Sequence, residues 1–232
     1  MCQLGPASDY EQHLFAVGDS HNNTLIGAYE STAETYNWRI DVTGHAGCYW
    51  TTAAQESESS AHSASCREWR TGVDRYLAET PDLDGIVVTH VAAAAPVIRV
   101  DGESQFETVV RGQVEAWGSR PDLDVPILAL VDNPRTTLAA LECVETLGAG
   151  TYDRCRVPRS RALSSLDGQS EAVAIAHNAH LIDLTQWYCD DQTCPQVVGN
   201  VLVYRDTHHI TATYAATLAP YLGQELAKVV GR

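Results

Sequence analysis

Short, continuous apolar runs separated by longer mixed segments set the rhythm of this 232-residue chain. Runs at 13–17, 85–91, 125–131 and 180–184 are largely apolar, as expected of strands buried on both faces of a parallel sheet, and 39–43 is a further candidate strand. Between them, segments near 21–37, 64–79, 104–118, 136–147 and 169–178 read as helices. The final segment, from Thr211 to Val230, spaces Tyr214, Leu218, Leu222 and Leu226 four residues apart, which predicts a single docking helix despite Pro220. Strand and helix therefore alternate as βαβ units, and the chain is predicted to be an α/β protein with a doubly wound, mostly parallel sheet. Segments 52–64 and 92–104 are expected as long surface loops, and no internal repeat is visible.

Length and composition narrow the picture. With 44% hydrophobic residues the chain can bury a full core, and its length suits one α/β domain better than two. The 30 acidic residues against 15 basic ones give a formal net charge of -15, and no basic stripe is present, which argues against nucleic acid or an anionic membrane surface as partner. The longest apolar stretch, around Val91 to Ile98, is too short to span a bilayer.

Cysteine spacing adds a compartment. Six of the seven cysteines form local couples, Cys48 with Cys66, Cys143 with Cys155, and Cys189 with Cys194, and Cys2 is left over. Such couples predict disulfides and an oxidising, extracytoplasmic setting, each bridge being worth about 2–3 kcal/mol. Buried thiols or a zinc site are the alternatives, with zinc disfavoured because no Cys-x-x-Cys occurs. No basic region followed by an apolar one opens the chain. The expectation is therefore a piece of a longer precursor, with Met1 as an added start and Cys2 parted from an upstream partner.

Chemistry concentrates at the two ends. Gly18-Asp19-Ser20-His21 places a hydroxyl where the 13–17 run stops and a helical segment begins, at the carboxyl end of a strand. Asp206-Thr207-His208-His209 offers a carboxylate and a histidine three residues apart, so that the carboxylate can orient the ring while the ring reaches the serine. Taken alone, the first motif reads as a helix cap. Together the two predict a serine hydrolase or acyltransferase. The Asp-x-x-His spacing selects His209 and leaves His208 at the surface or in a supporting position. No further histidine lies at helix-compatible ligand spacing from Asp206, His208 and His209, so neither metal nor cofactor is expected. Candidates for substrate contact are His21, Asn22, Trp50 and His90; packing is the alternative for Trp50, Trp187, His90, His177 and His180.

Taken together, Gly18-Asp19-Ser20-His21, the Cys189 to Cys194 loop, the run from Val197 to His209, Thr211-Ala212-Thr213-Tyr214, Leu218 to Leu222 and Leu130 to Arg135 closely resemble the SGNH (GDSL-like) domain fused to the C-terminus of bacterial membrane acyltransferases of the acyltransferase-three family. The resemblance implies a three-layer α/β/α SGNH-hydrolase, flavodoxin-like fold over 13–232, with 1–12 as the end of a linker from an upstream membrane domain. It implies an extracytoplasmic, membrane-tethered O-acyltransferase acting on a cell-envelope glycan or glycolipid, or a carbohydrate O-acetylesterase, or a glycan-binding module that kept the fold. In its terms Ser20 is the nucleophile, His209 the base and Asp206 the residue that orients it. The oxyanion would meet the Ser20 amide and a loop glycine, with Gly47 chosen over Gly44. The sequence departs from the general SGNH pattern in one place: after the 85–91 run it reads Thr89-His90-Val91-Ala92, and no asparagine follows until Asn133. A missing oxyanion donor can cost about 10²- to 10³-fold in rate.

Overall fold

The computed structural model describes residues 1–56, 59–92, 96–147, 152–163 and 168–231. The first half contains β1 (Cys2–Leu4), β2 (Gln12–Gly18), α1 (Ser20–Thr24), α2 (Ile26–Tyr36), β3 (Trp38–Gly44), α3 (Ser60–Glu79), β4 (Gly85–Thr89) and α4 (Gln105–Gly118). Next come β5 (Ile127–Leu130), α5 (Leu138–Leu147), β6 (Val157–Pro158), α6 (Arg159–Ala162), α7 (Gly168–Ile175) and β7 (Ala179–Ile182). The last stretch holds β8 (Thr193–Cys194), β9 (Val197–Val198), β10 (Val201–Leu202), α8 (Ala212–Thr217) and α9 (Ala219–Val230).

The central sheet runs β1-β3-β2-β4-β5-β7, parallel throughout except for β1. Its side chains divide by alternation. Leu14 and Ala16 of β2, Ile40 and Val42 of β3, Val87 and Leu128 face one layer, with Ala28 and Tyr29 of α2, Tyr214 of α8 and Leu222 and Leu226 of α9. Phe15 and Val17, Ile86 and Val88, Ile127 and Ala129 face the other, with Val73 and Leu77 of α3, Val110 and Trp117 of α4 and Ala172 of α7. Burial on both faces is what the continuous apolar runs require, and it makes the molecule a three-layer α/β/α protein. Because β2 is flanked by β3 and β4, chain crossovers leave it in opposite directions, and the crevice of this sheet order opens at the carboxyl end of β2.

Several elements differ from the sequence expectation for identifiable reasons. The helix expected over 21–37 breaks at Leu25: the Thr24 hydroxyl takes the His21 carbonyl at 2.7 Å, and the Leu25 amide moves to the Asn22 carbonyl. The single helix expected over 211–230 is two, interrupted at Leu218, with Pro220 in the first turn of α9, where its lack of an N–H costs nothing. α3 begins at Ser60, capped by the Ser59 hydroxyl, which shortens the loop expected over 52–64. Residues 2–4, read as part of a linker, add an antiparallel edge strand to β3.

Three disulfides join Cys48 to Cys66, Cys143 to Cys155 and Cys189 to Cys194, with Cα separations of 5.4, 5.6 and 4.1 Å, and Cys2 is free and exposed. Non-reducing peptide mapping should therefore recover these three linked pairs and an alkylated Cys2. Recovery of alkylated couples from protein made in an oxidising compartment would contradict the pairing.

At the amino end of the strands a buried ionic cluster ties layer to sheet. Asp41 accepts from Tyr76 Oη at 2.5 Å and from Arg39 at 2.8 and 3.1 Å, and lies 2.8 Å from His13 Nε2. Burial alone would raise its carboxyl, but the hydrogen bonds from His13, Tyr76 and Arg39 prevail and hold it at about 2. A carboxyl depressed from the unfolded value of about 3.9 adds stability above that value and loses it as pH falls towards the folded one. Melting temperature should therefore drop steeply between about pH 4 and pH 2, and Asp41→Asn should flatten that part of the profile. An unchanged slope in the variant would show that other carboxylates govern acid unfolding.

Candidate active site

The turn after β2 is built by residues that leave little freedom. Gly18 lies so close to β4 that a Cβ there would meet the Thr89 carbonyl oxygen at 1.7 Å, so no other residue fits. Asp19 caps α1, its Oδ1 accepting the His21 amide at 2.8 Å and its Oδ2 the Val91 amide at 3.1 Å. The buried Asn22 side chain donates to the carbonyls of Ala16 and Thr43 at 3.3 and 3.0 Å and accepts from the Tyr29 hydroxyl at 2.8 Å. These bonds fix α1 over the ends of β2 and β3 and leave Ser20, half-buried, at the crevice.

The second motif arrives from the loop before α8. Asp206 Oδ1 accepts the amides of His208 and His209 at 3.0 and 2.8 Å, and its Oδ2 lies 2.8 Å from His209 Nδ1. His209 Nε2 is 2.9 Å from Ser20 Oγ. Burial works to raise the Asp206 carboxyl, but the two amides and the His209 ring outweigh it and hold the group well below the usual carboxylate range. An ionised carboxylate can only accept, so the His209 Nδ1 carries the proton and its Nε2 presents a lone pair to the serine hydroxyl.

A second carboxylate–imidazole chain runs beside the first. Asp132, just past β5, accepts the Ala92 amide at 2.9 Å and lies 2.5 Å from His21 Nδ1, whose Nε2 is 3.1 Å from His208 Nδ1. His21 is 1% exposed. Its burial disfavours the charged ring, yet the hydrogen bond and charge of Asp132, helped by Asp19, raise its pKa. His208 is shifted down, by burial first and then by the charge of His209. Asn133 donates to the His208 carbonyl at 2.8 Å and so fixes the loop. The His21 ring stacks on His208 with centroids 5.4 Å apart and lies 5.1 Å from His209.

Comparison with known proteins places the chain in a family. The protein-family model described as "SGNH domain (fused to AT3 domains)" matches residues 1–224. The chain belongs to this SGNH family. Among solved structures, the SGNH domain is similar to the periplasmic domain of a lipopolysaccharide acetyltransferase from Salmonella ser. Paratyphi A, with a TM-score of 0.64, 12% identity, and coverage of 94% of this chain and 85% of that one. It is also similar to a family two carbohydrate esterase of Corynascus thermopiles (Myceliophthora fergusii), at TM-score 0.51 and 11% identity, covering 98% of this chain and 69% of that one. A third match is the family two carbohydrate esterase of Clostridium thermocellum in complex with cellohexaose, at TM-score 0.51 and 15% identity, covering 98% and 67%. At these identities the likeness is one of fold. No curated protein matches the sequence.

The SGNH domain gathers Ser20, Asp206 and His209 at one point with His21 beside them, and gives Asn22, Trp50, His90 and Gly47 other surroundings. Asn22 is committed to backbone carbonyls and Tyr29, so it is a staple of the turn rather than a substrate contact. His21 faces Asp132 and His208 from a buried position. Trp50, 2% exposed, packs with Phe15 and Val17 and donates to Asp74 at 3.3 Å. His90, 1% exposed, is enclosed by Gln113, the Val91 carbonyl and the Tyr49 ring. Gly47 faces His62, whereas Gly44 pairs with Gly18 and a Cβ there would come within 2.9 Å of the Asp19 carbonyl, so Gly44 is the glycine that abuts the turn. After β4 the amides of Val91 and Ala92 are taken by Asp19 and Asp132. Trp187, in the segment after β7, stacks on Tyr221 of α9. Asp132 and Asn133 are the site residues that sequence reasoning did not assign, and the polar pair they form directly after the 125–131 run, at a strand's carboxyl end, was their signal; His208, expected at the surface or in a supporting position, contacts His21.

Proposed function

We propose that this SGNH domain is an extracytoplasmic serine O-acyltransferase that moves an acyl group, acetyl in the simplest case, onto a hydroxyl of a cell-envelope glycan or glycolipid. The observation that carries the reading is the chain Ser20 Oγ, His209, Asp206, with links of 2.9 and 2.8 Å, at the switch point of the sheet. Ser20 Oγ attacks the acyl carbonyl while its proton passes to His209 Nε2, and Asp206 stabilises the resulting imidazolium. The oxyanion is held by the Ser20 amide and the loop at Gly44. Collapse expels the donor's leaving group with the proton from His209 and leaves an acyl-serine. The acceptor hydroxyl then gives its proton to His209 as it attacks the acyl-serine, and collapse releases the ester while that proton passes from His209 to Ser20 Oγ, regenerating the serine and the neutral ring. The fusion to AT3 domains that defines the family supports a membrane portion of the full-length protein as the acyl supplier, tethering the domain at the envelope. The lipopolysaccharide acetyltransferase among its structural relatives supports a glycan acceptor.

Hydrolysis is the competing outcome, and one feature favours considering it: Asp206 is 44% exposed, so water reaches the site in the free domain. The deciding experiment gives the acyl-enzyme a choice. With p-nitrophenyl acetate as donor and a panel of envelope oligosaccharides as acceptors, the ratio of acetylated sugar to free acetate should rise with acceptor concentration and vanish in Ser20→Ala. A ratio of zero across the panel, with brisk deacetylation of acetylated glycans, would instead make the domain an esterase.

A further inference from the structure

Three imidazoles converge beside Ser20 from opposite ends of the chain, His21 in α1 and His208 and His209 in the loop before α8. One ring nitrogen of each lies within 4.8 Å of the others, and His21 Nε2 and His208 Nδ1 are already 3.1 Å apart. A tetrahedral zinc ion bound at about 2.0–2.1 Å spaces its ligand nitrogens by about 3.3 Å. One edge of the triangle therefore has the required length, and the longest must close by no more than about 1.5 Å, within reach of ring rotation.

The surroundings of these rings are those of metal ligands. A histidine that binds a metal through one nitrogen commonly gives its other N–H to a carboxylate, which fixes the tautomer and aims the lone pair. Asp132 does this for His21 at Nδ1 and Asp206 for His209 at Nδ1, so both Nε2 lone pairs point inwards. His208 is held by its main chain, through Asp206 on its amide and Asn133 on its carbonyl, and its side chain is 37% exposed, which opens a route for an ion. Ser20 Oγ or a water can complete four-coordination. Nitrogen donors suit zinc and its neighbours, whereas calcium and magnesium need oxygen ligands. Among the described residues the other cluster of this kind, Cys48, His62 and Cys66, is excluded because its sulfurs are joined in a disulfide.

We propose that His21, His208 and His209 form a reversible site for a divalent transition cation, zinc foremost, and that occupancy takes the His209 lone pair away from Ser20 and silences the serine. The binding half stands on geometry alone; the silencing half rests on the catalytic reading given above.

The test uses untagged protein in a Cys2→Ser background, so that the free thiol cannot compete. Zinc chloride is titrated against a chromophoric chelator at pH 7.5. One zinc per chain is expected, with affinity falling at least tenfold in His208→Ala and by about 10- to 100-fold in Asp132→Asn, the usual cost of losing a carboxylate behind a ligand. His180→Ala, distant from the cluster, should bind as the parent does. If His208→Ala does not fold, His208→Gln, which keeps a polar side chain against His21, gives the same readout. Zinc should also block labelling of Ser20 by a serine-reactive phosphonate, and EDTA should restore it. Absence of stoichiometric binding, or equal affinity in the parent and the His208 variant, would overturn the site. Zinc binding with the expected dependence, but with Ser20 unlabelled in any state, would leave the site standing and remove both the silencing role and the catalytic reading.

Discussion

Ser20→Ala and His209→Ala are each expected to lower the turnover of p-nitrophenyl acetate by at least about 10³-fold, and the double variant should lose little more, because the members of such a unit act together. Ser20 Oγ is the atom that must carry the acyl group, and His209 Nε2, 2.9 Å away, is placed to take its proton. Removing either leaves the other with no partner for the chemistry. The substitutions should spare the fold. The cap of α1 is the Asp19 side chain, not the serine hydroxyl, and the His209 ring sits at a half-buried edge rather than within either core layer. Wild-type melting temperature with lost turnover is therefore the expected pair of observations. Undiminished turnover in Ser20→Ala would mean that another group attacks the ester. The absolute rate should be modest even in the parent protein, because the side chains and amides after β4 are already engaged and a third oxyanion donor is not evident among the described residues.

The layer plan was legible in the sequence because strands buried on both faces are dominated by apolar residues, as 14–17 and 85–88 are, whereas 39–43 alternates, its Asp41 and Thr43 meeting Tyr76 and Trp69 of α3. Helix breaks were not, because they are decided by single side-chain bonds: Thr24 competing for the His21 carbonyl has no signature in periodicity. Ser20, Asp206 and His209 could be named because each motif is local, with Asp and His three residues apart and the serine at a strand end. The second chain through Asp132, His21 and His208 spans 111 and 187 positions in its two links, and only the folded sheet brings its members together. The same limit misdirected the substrate candidates. Trp50 and His90 lie next to the loops that flank the crevice, but one residue's step along an extended segment turns a side chain from crevice to core. The expectation of no metal weighed spacings near Asp206 alone, whereas the site proposed above draws His21 from the other end of the chain.

The Asp206 carboxylate separates an orienting role from mere packing more sharply than truncation does. In the parent protein its Oδ2 accepts from His209 Nδ1 at 2.8 Å while its Oδ1 holds the amides of His208 and His209. Asp206→Asn keeps the shape, and the asparagine carbonyl oxygen can still hold both amides. Its NH₂ group then faces Nδ1 as a donor, which moves the ring proton to Nε2 and points an N–H at Ser20, where a lone pair is needed. A tautomer error of this kind in a serine triad costs about 10⁴-fold in kcat, and that is the loss expected here near pH 7 with little change in KM or melting temperature. Asp132→Asn provides the contrast: its carboxylate contacts His21 rather than His209, so turnover should fall far less. The two variants measured side by side, with ¹⁵N shifts of the His209 ring reporting the tautomer, decide the matter. Turnover in Asp206→Asn within tenfold of the parent would show that His209 takes its orientation from elsewhere, and the assignment of Asp206 would fall while that of Ser20 could stand.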